Sequence, residues 1–212
     1  MKFTAKALGL VLTAGLLVAL SACSPQTDEG GDSAANAGGD ASPPASAPSG
    51  GDAPEAPVNL GEFTTQDING TSYTQDLFAD YDLTLVNIFA TWCSPCVEEI
   101  PGLEQLRTDM ADQGVNVVGF VLDGADFNGN PLPDGVEAAK ILAQRTGATY
   151  PFLLPDGTAL NGRLSGVDAV PETFFVDKNG NIVGKTYVGA RSREDWNAIV
   201  ETELANLEEA AQ

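Results

Sequence analysis

The stretch that decides the fold runs from residue 83 to residue 113 and reads LTLVNIFATWCSPCVEEIPGLEQLRTDMADQ. Its first eight residues, 83–90, form a largely apolar run with the length of a buried strand. From residue 97 onward the apolar side chains recur at helical spacing, and they place four residues on one face: Ile100, Leu103, Leu106 and Met110. Two cysteines, Cys93 and Cys96, therefore lie where a buried strand gives way to a helix.

This Cys-x-x-Cys position has a chemical meaning. The unpaired N–H groups at a helix N-terminus favour an anion, so the pKa of Cys93 is expected to fall and its thiolate to form. A thiolate attacks disulfides, and Cys96, one turn later, can displace the product from the mixed disulfide. Pro95 lies in the first helical turn, where a residue without an N–H is tolerated. The spacing therefore favours redox chemistry and predicts a Cys93–Cys96 disulfide in the oxidised form.

The rest of the chain from residue 58 alternates between strand and helix patterns. Residues 67–73 predict a hairpin with Asn69-Gly70 at its turn, and a helix is expected from Ser192, with Asp195 in the capping-box position. The other predicted elements are strands at 115–122, 149–154, 173–176 and 182–188, and a helix at 136–145. This order predicts an α/β sandwich with a parallel portion and an antiparallel C-terminal hairpin.

Two separate motifs resemble those of one family. Residues 89–101, FATWCSPCVEEIP, and residues 170–177, VPETFFVD, closely resemble the TlpA/ResA/CcmG group of membrane-anchored thioredoxin-like proteins. The resemblance implies a thioredoxin fold: a mixed central sheet flanked by helices, with an N-terminal β-hairpin extension and a helical insertion. It also implies that Pro171 is a cis proline packed against the disulfide.

The resemblance extends to the roles of individual residues. Cys93 is implied to attack and Cys96 to resolve, while Glu99 stands where the group places its active-site acid. Glu99 follows Cys96 by three residues, on a neighbouring helix face, and without His a buried carboxyl is the natural proton carrier. The alternative is that Glu99 is solvated helix surface. The residues implied to shape the site are Trp92, Ser94, Pro95, Val170 and Pro171.

The N-terminus has the pattern of a bacterial lipoprotein. A signal peptide is predicted over residues 1–22, because two lysines are followed by an apolar run at residues 7–20 and then by small residues typical of a cleavage site. The sequence Leu-Ser-Ala before Cys23 resembles a lipobox, which implies lipidation of Cys23; a plain cleaved signal is the alternative. Residues 23–57 are rich in Gly, Pro, Ala and Ser and predict a disordered tether, which leaves residues 58–212 for the domain.

Composition excludes several classes of function. With 30 Asp+Glu against 10 Lys+Arg, the net charge of −20 opposes binding to nucleic acid. The chain has no His and three Cys, which excludes Cys-His catalysis and makes a structural zinc site untenable. We expect no cofactor and no metal. The partners expected from the resemblance are protein thiols, a membrane electron donor and the membrane itself, at its extracytoplasmic face.

The sequence leaves other functions open. The direction of electron flow is undecided, although the resemblance favours reduction of partners such as apocytochrome c or a repair enzyme. A lipid-anchored binding protein with an inert disulfide is one alternative. A thiol peroxidase is a weaker one, because Thr91 stands only two residues before Cys93. Residues 126–137 have the spacing of a calcium loop, but Pro131 occupies the position that calls for Gly, so we expect an ordinary loop.

Overall fold

The computed structural model describes residues 58–210, which build a five-stranded mixed sheet with a small hairpin at its edge. In chain order the strands and helices are β1 (Thr64–Gln66), β2 (Ser72–Thr74), β3 (Leu83–Phe89), α1 (Ser94–Asp109), β4 (Val115–Val121), α2 (Pro133–Thr146), β5 (Phe152–Leu153), β6 (Glu172–Asp177), β7 (Ile182–Val188) and α3 (Arg193–Ala210). The strand order in the sheet is β5-β4-β3-β6-β7. Strand β3 is parallel to β4 and antiparallel to β6, so the expected mixed sheet is confirmed.

Strand β3 lies at the centre, and its side chains alternate between the two faces of the sheet. Leu85 and Phe89 pack in the core on the face that all three α-helices cover. Val86 and Ile88 face the opposite side, where the segment before β3 and the segment between β5 and β6 cover the sheet. Asn87 therefore points to the helix face, which is where α1 carries the residues that follow Cys96.

The predicted N-terminal hairpin is confirmed and has a clear place in the fold. Strands β1 and β2 pair antiparallel. Beside them, the Ile68 amide donates to Phe152 O and the Leu154 amide donates to Gln66 O, both at 2.9 Å. The hairpin thus pairs with β5 at the edge of the main sheet and covers backbone groups that would otherwise be open to another chain.

Three elements begin three residues away from their predicted starts. Helix α1 begins at Ser94 and not at residue 97, because Cys93 caps it, and α2 begins three residues early at Pro133, which fits a first helical turn. Strand β5 has two residues and not six. Its predicted beginning is diverted: the amides of Thr149 and Tyr150 donate to the Glu104 carboxylate of α1, at 2.7 and 3.3 Å.

None of the helices formed by residues 58–210 has the length and apolar character to cross a bilayer. The predictions made for residues 1–22, Cys23 and residues 23–57 lie outside the described residues.

Candidate active site

The two cysteines form a disulfide at the N-terminus of α1, as the spacing predicted. Cys93 is the N-cap residue, with an extended backbone, and its Sγ lies 3.3 Å from the Cys96 amide N–H that points at it. Cys96, one turn into the helix, is fully buried, whereas Cys93 is 6% exposed. After reduction, the Cys93 sulfur would therefore face an N–H donor and the positive end of the helix dipole, which both favour its thiolate.

The second motif faces this disulfide. The Val170–Pro171 peptide bond is cis, and the carbonyl oxygen of Val170 lies 3.6 Å from Cys93 Sγ. A hydrogen bond stabilises this loop, because the Gly189 amide donates to Pro171 O at 2.9 Å. The cis proline implied by the resemblance is thus present and adjacent to the sulfur that is nearer the surface.

Residues around the disulfide are open to a partner. Trp92 is 75% exposed, and Ser94 and Pro95 are also exposed, while Val170 is half-buried. An exposed indole beside a sulfur atom offers a large, rigid apolar contact of the kind that contributes strongly to binding. The structure therefore brings the predicted site-shaping residues together on one accessible edge around Cys93.

Glu99 is buried at 5% exposure and is enclosed by hydrogen-bond donors, so it is not solvated helix surface. Asn87 Nδ2 donates to its Oε1 at 2.8 Å. Its Oε2 accepts two hydrogen bonds, from the Arg191 amide at 3.1 Å and from the indole Nε1 of Trp196 at 3.2 Å. The carboxyl group thus lies one helical turn after Cys96, in a polar cluster that is enclosed by the core between the sheet and the helices.

Burial raises the pKa of the Glu99 carboxyl above its ordinary value. The hydrogen bonds from Arg191, Asn87 and Trp196 and the charge of Arg191 oppose this rise but do not cancel it. A raised pKa keeps this carboxyl protonated to a higher pH than a solvated glutamate. The direction of this shift brings the carboxyl pKa closer to that of a thiol.

Three residues of this cluster were missed at the level of sequence. Trp196 and Arg191 were not singled out as site residues, and Thr173 was part of a strand pattern. Thr173 Oγ1 accepts from Asn87 Nδ2 at 3.1 Å, so Asn87 links the β6 strand to Glu99. The contact between Trp196 and Glu99 spans 97 residues of chain, and no local pattern in the sequence signals it.

A further contact ties the active-site loop to the neighbouring loop. The carboxylate of Asp123, just after β4, accepts from the Thr91 amide at 3.0 Å and from the Thr91 hydroxyl at 2.5 Å. Because β3 and β4 are parallel, their C-terminal ends lie at the same edge of the sheet. Asp123 thus fixes Thr91, two residues before Cys93, relative to the segment that leads from β4 to α2.

The first part of the acidic segment 126–137 forms a turn that Asp126 closes. Asp126 Oδ1 accepts from the amides of Asn128 and Asn130, at 2.8 and 2.9 Å. No cluster of three or more potential metal ligands occurs among residues 58–210. Residues 126–132 thus form a loop, as expected, and residues 133–137 already belong to α2.

A disulfide at the N-terminus of a helix, faced by a cis proline at the edge of a mixed sheet, defines a thioredoxin-type redox domain. The chain belongs to the Redoxin family, whose model matches residues 46–203. Among curated proteins, the thiol:disulfide interchange protein DsbE of Vibrio cholerae is 31% identical over 137 residues, or 64% of this chain and 66% of the relative. DsbE of Escherichia coli K12 is 33% identical over 140 residues, or 66% of this chain and 68% of the relative.

The resemblance to ResA-type proteins is confirmed as well. The thiol-disulfide oxidoreductase ResA of Bacillus anthracis is 27% identical over 109 residues, which cover 51% of this chain. The chain spans 66% of the length of the Vibrio relative and 56% of the Bacillus one. Among solved structures, a thioredoxin-family thiol:disulfide interchange protein from Chlorobium tepidum matches with a TM-score of 0.58 and 28% identity, over 72% of this chain and 99% of its own. The expected thioredoxin fold is thereby confirmed.

Proposed function

We propose that this protein is a thiol-disulfide oxidoreductase that exchanges disulfides with protein partners through Cys93 and Cys96. The observation that carries the proposal is the Cys93–Cys96 disulfide, with Cys93 as the cap of α1 and close to the carbonyl of Val170. The names of the DsbE and ResA relatives, which describe disulfide interchange and thiol-disulfide oxidoreduction, support it.

The proposed reaction in the reducing direction has two exchange steps. The Cys93 thiolate attacks one sulfur of the partner's disulfide, which forms a mixed disulfide and releases the partner's first thiolate. The Cys96 thiolate then attacks Cys93 Sγ, which restores the Cys93–Cys96 disulfide and releases the second partner thiolate. Two electrons pass to the partner, and a separate dithiol donor must return two electrons to the Cys93–Cys96 pair.

In this scheme Glu99 carries the proton of the resolving cysteine. Cys96 is fully buried, so its thiol cannot lose a proton directly to solvent. Glu99 is the buried carboxyl group one turn away on the same helix, and burial raises its pKa towards that of a thiol. The Cys96 proton moves to Glu99 as the Cys96 thiolate forms, and it returns to solvent or to a released thiolate afterwards.

The exposed surface around Cys93 supports a protein as the substrate. Trp92, Ser94 and Pro95 present an open surface, and the backbone of Val170 before Pro171 borders the disulfide. An extended segment of a partner can lie across this edge with its cysteine at Cys93 Sγ. Such an open edge fits a polypeptide better than a small substrate, which is usually enclosed by a pocket.

The proposal includes a place in the cell. A signal over residues 1–22, a lipid on Cys23 and a tether over residues 23–57 would hold the domain, residues 58–212, at the extracytoplasmic face of the cell membrane. A membrane dithiol protein would then supply electrons, and apocytochrome c or a repair enzyme would receive them. Metabolic labelling with a radioactive fatty acid tests the anchor: the full chain should be labelled and Cys23→Ser should not.

The activity is tested by the reduction of insulin with dithiothreitol as the electron source. The wild-type chain and Cys23→Ser should both turn over, and Cys93→Ala should show no turnover above the uncatalysed rate. Cys96→Ala should accumulate a mixed disulfide with the partner, because the resolving thiol is missing. A wild-type protein without turnover would have an inert disulfide, and the proposed function would be wrong.

A further inference from the structure

Glu99 uses its two carboxylate oxygens differently. Oε2 accepts two hydrogen bonds, from the Arg191 amide and from the Trp196 indole. Oε1 accepts one, from Asn87 Nδ2. A carboxylate oxygen has two lone pairs. Both positions on Oε2 are therefore filled by N–H donors, whereas Oε1 keeps one free position.

The donors on Oε2 are held rigidly. Trp196 is 1% exposed, and its ring contacts Tyr187 and Phe175 edge-to-face, with centroids 5.8 and 6.5 Å apart. The Arg191 guanidinium covers the same ring at 5.2 Å. The indole N–H has no freedom to turn towards another acceptor, so it fixes the orientation of the Glu99 carboxyl group.

We infer that Trp196 is a positioning residue for the active site: together with the Arg191 amide it occupies Glu99 Oε2, so that Glu99 exchanges its proton with the Cys96 thiol at Oε1. The inference rests on the proposed function for the identity of the reaction. The S–H bond of Cys96 breaks, its proton binds Oε1, and the Cys96 electron pair remains on sulfur for attack on Cys93. Trp196, on α3 and 100 residues after Cys96 in the chain, thereby orients a group that takes part in the chemistry.

Few other charged or titratable groups face Glu99. The Arg191 guanidinium, in the loop before α3, acts on the Glu99 carboxyl through its positive charge. The Tyr150 hydroxyl is buried ahead of β5, and the charge of the Glu99 carboxylate raises the pKa of this hydroxyl. On α1 itself the neighbouring groups are the sulfur atoms of Cys93 and Cys96. In the oxidised protein the two sulfurs carry no proton, and burial raises the pKa of Tyr150 well above its ordinary value. Among the groups that face it, Glu99 is therefore the one that titrates between acid and neutral pH in the oxidised protein, and Glu99→Gln separates its effect from that of the other acidic residues.

The first test is a nuclear magnetic resonance titration of the full oxidised chain. The chain has two Trp, and a Trp196→Phe spectrum assigns their indole N–H signals. The Trp196 indole signal should shift with pH, with the same midpoint as the Glu99 carboxyl carbon, and this shift should vanish in Glu99→Gln. The indole should also exchange slowly with deuterium at both ends of the titration, because a proton on Oε1 leaves its bond to Oε2 intact.

The second test compares Trp196→Phe with Tyr187→Phe. Removing an N–H donor from a carboxylate destabilises the charged form, so Trp196→Phe should raise the Glu99 titration midpoint by about one pH unit. The pH profile of Cys96 thiol alkylation in the reduced protein should move in the same direction. Tyr187→Phe is the matched control, because its hydroxyl belongs to the same cluster but donates to Glu203 and not to Glu99. Its midpoint should stay within about 0.2 of the wild type.

Distinct results would overturn the inference. A folded Trp196→Phe with an unchanged Glu99 midpoint would remove Trp196 from this role, and rapid indole exchange at acid pH would place the proton on Oε2. If Trp196→Phe does not fold, the Trp92→Phe spectrum assigns the indole signals. The inference is then tested by comparing the titration of the Trp196 indole signal in the wild type with that in Glu99→Gln. Neither readout requires turnover. A protein that fails to reduce insulin but shows both effects would refute the proposed function and keep the positioning role.

Discussion

At the scale of single residues, Glu99 combines two opposing requirements. Burial favours its neutral form, and the three N–H donors around it favour its charged form, so neither form is excluded from the interior. A group that must both accept and release a proton needs this balance. A surface carboxylate would stay charged at neutral pH, and a buried carboxyl without donors would stay protonated.

Replacing Glu99 with Gln keeps the shape of the side chain and removes its proton exchange. We expect the resolving step, measured as disulfide re-formation from a mixed disulfide at pH 7, to slow by about 100-fold, a usual effect of losing a general acid–base group. Glu98→Gln, an exposed neighbour on the same helix, is the control and should keep the wild-type rate. An unchanged pH profile of Cys96 alkylation in Glu99→Gln would exclude Glu99 from the mechanism.

The raised pKa of Glu99 also predicts how stability depends on pH. A carboxyl group whose pKa is higher in the folded than in the unfolded state holds its proton more tightly when folded. Its contribution to stability is fully present below the ordinary carboxyl pKa and is lost as the pH rises through the raised folded value. Wild type should therefore lose stability relative to Glu99→Gln across this window, as measured by urea unfolding of oxidised protein from pH 4 to pH 8. A constant difference would contradict the burial effect.

At the scale of elements, the segment leading to the cis proline is anchored by a buried ion pair. Arg163 Nη2 lies 2.8 Å from Glu172 Oε1, with side-chain exposures of 18% and 9%. The guanidinium also covers the ring of Phe174 at 4.2 Å. Because Glu172 follows Pro171 directly, the ion pair joins both ends of the loop that carries Val170.

Arg163→Met should lower the free energy of unfolding by about 3 kcal/mol, since it leaves the buried Glu172 carboxylate without its partner. Adding Glu172→Gln should recover more than half of this loss, because the unpaired charge is removed. Lys185→Met, at an exposed position of β7, should change stability by less than about 0.5 kcal/mol. Urea unfolding of the wild type, Arg163→Met, Glu172→Gln and the double variant measures the coupling between the two side chains, and additive single effects would show that the pair does not anchor the loop.

The same elements show what the sequence could and could not predict. Strands β3 and β4 were predicted within a residue, because their continuous apolar runs leave little choice of structure. Strand β5 was predicted too long, since a side chain from α1, Glu104, takes the amides of Thr149 and Tyr150. Glu99 could be singled out from the resemblance to the TlpA/ResA/CcmG group together with its helical spacing to Cys96. Trp196 could not, because its role depends on how α3 packs against α1, and that tertiary contact leaves no local pattern.

At the scale of the whole molecule, the net charge of −20 bears on the choice of partner. Such a field attracts basic partners and repels acidic ones, and salt screens it within about 8 Å at physiological ionic strength. Around the disulfide the field has local sources: Glu98 is exposed in the first turns of α1, and the Asp123 carboxylate contacts Thr91. The rate of the first exchange step should therefore depend on the charge that flanks the partner's cysteine.

Two peptide disulfides that differ only in Lys or Glu beside the cysteine measure this effect. At low salt the reduced protein should react with the Lys peptide about tenfold faster than with the Glu peptide, and the ratio should approach one near 0.5 M salt. Glu98→Gln should lower the low-salt ratio more than Glu201→Gln, which removes an equal charge from an exposed position of α3, five residues after Trp196. Equal effects of the two substitutions would mean that net charge alone acts. A ratio insensitive to salt would mean that the acidic surface has no part in selecting the partner.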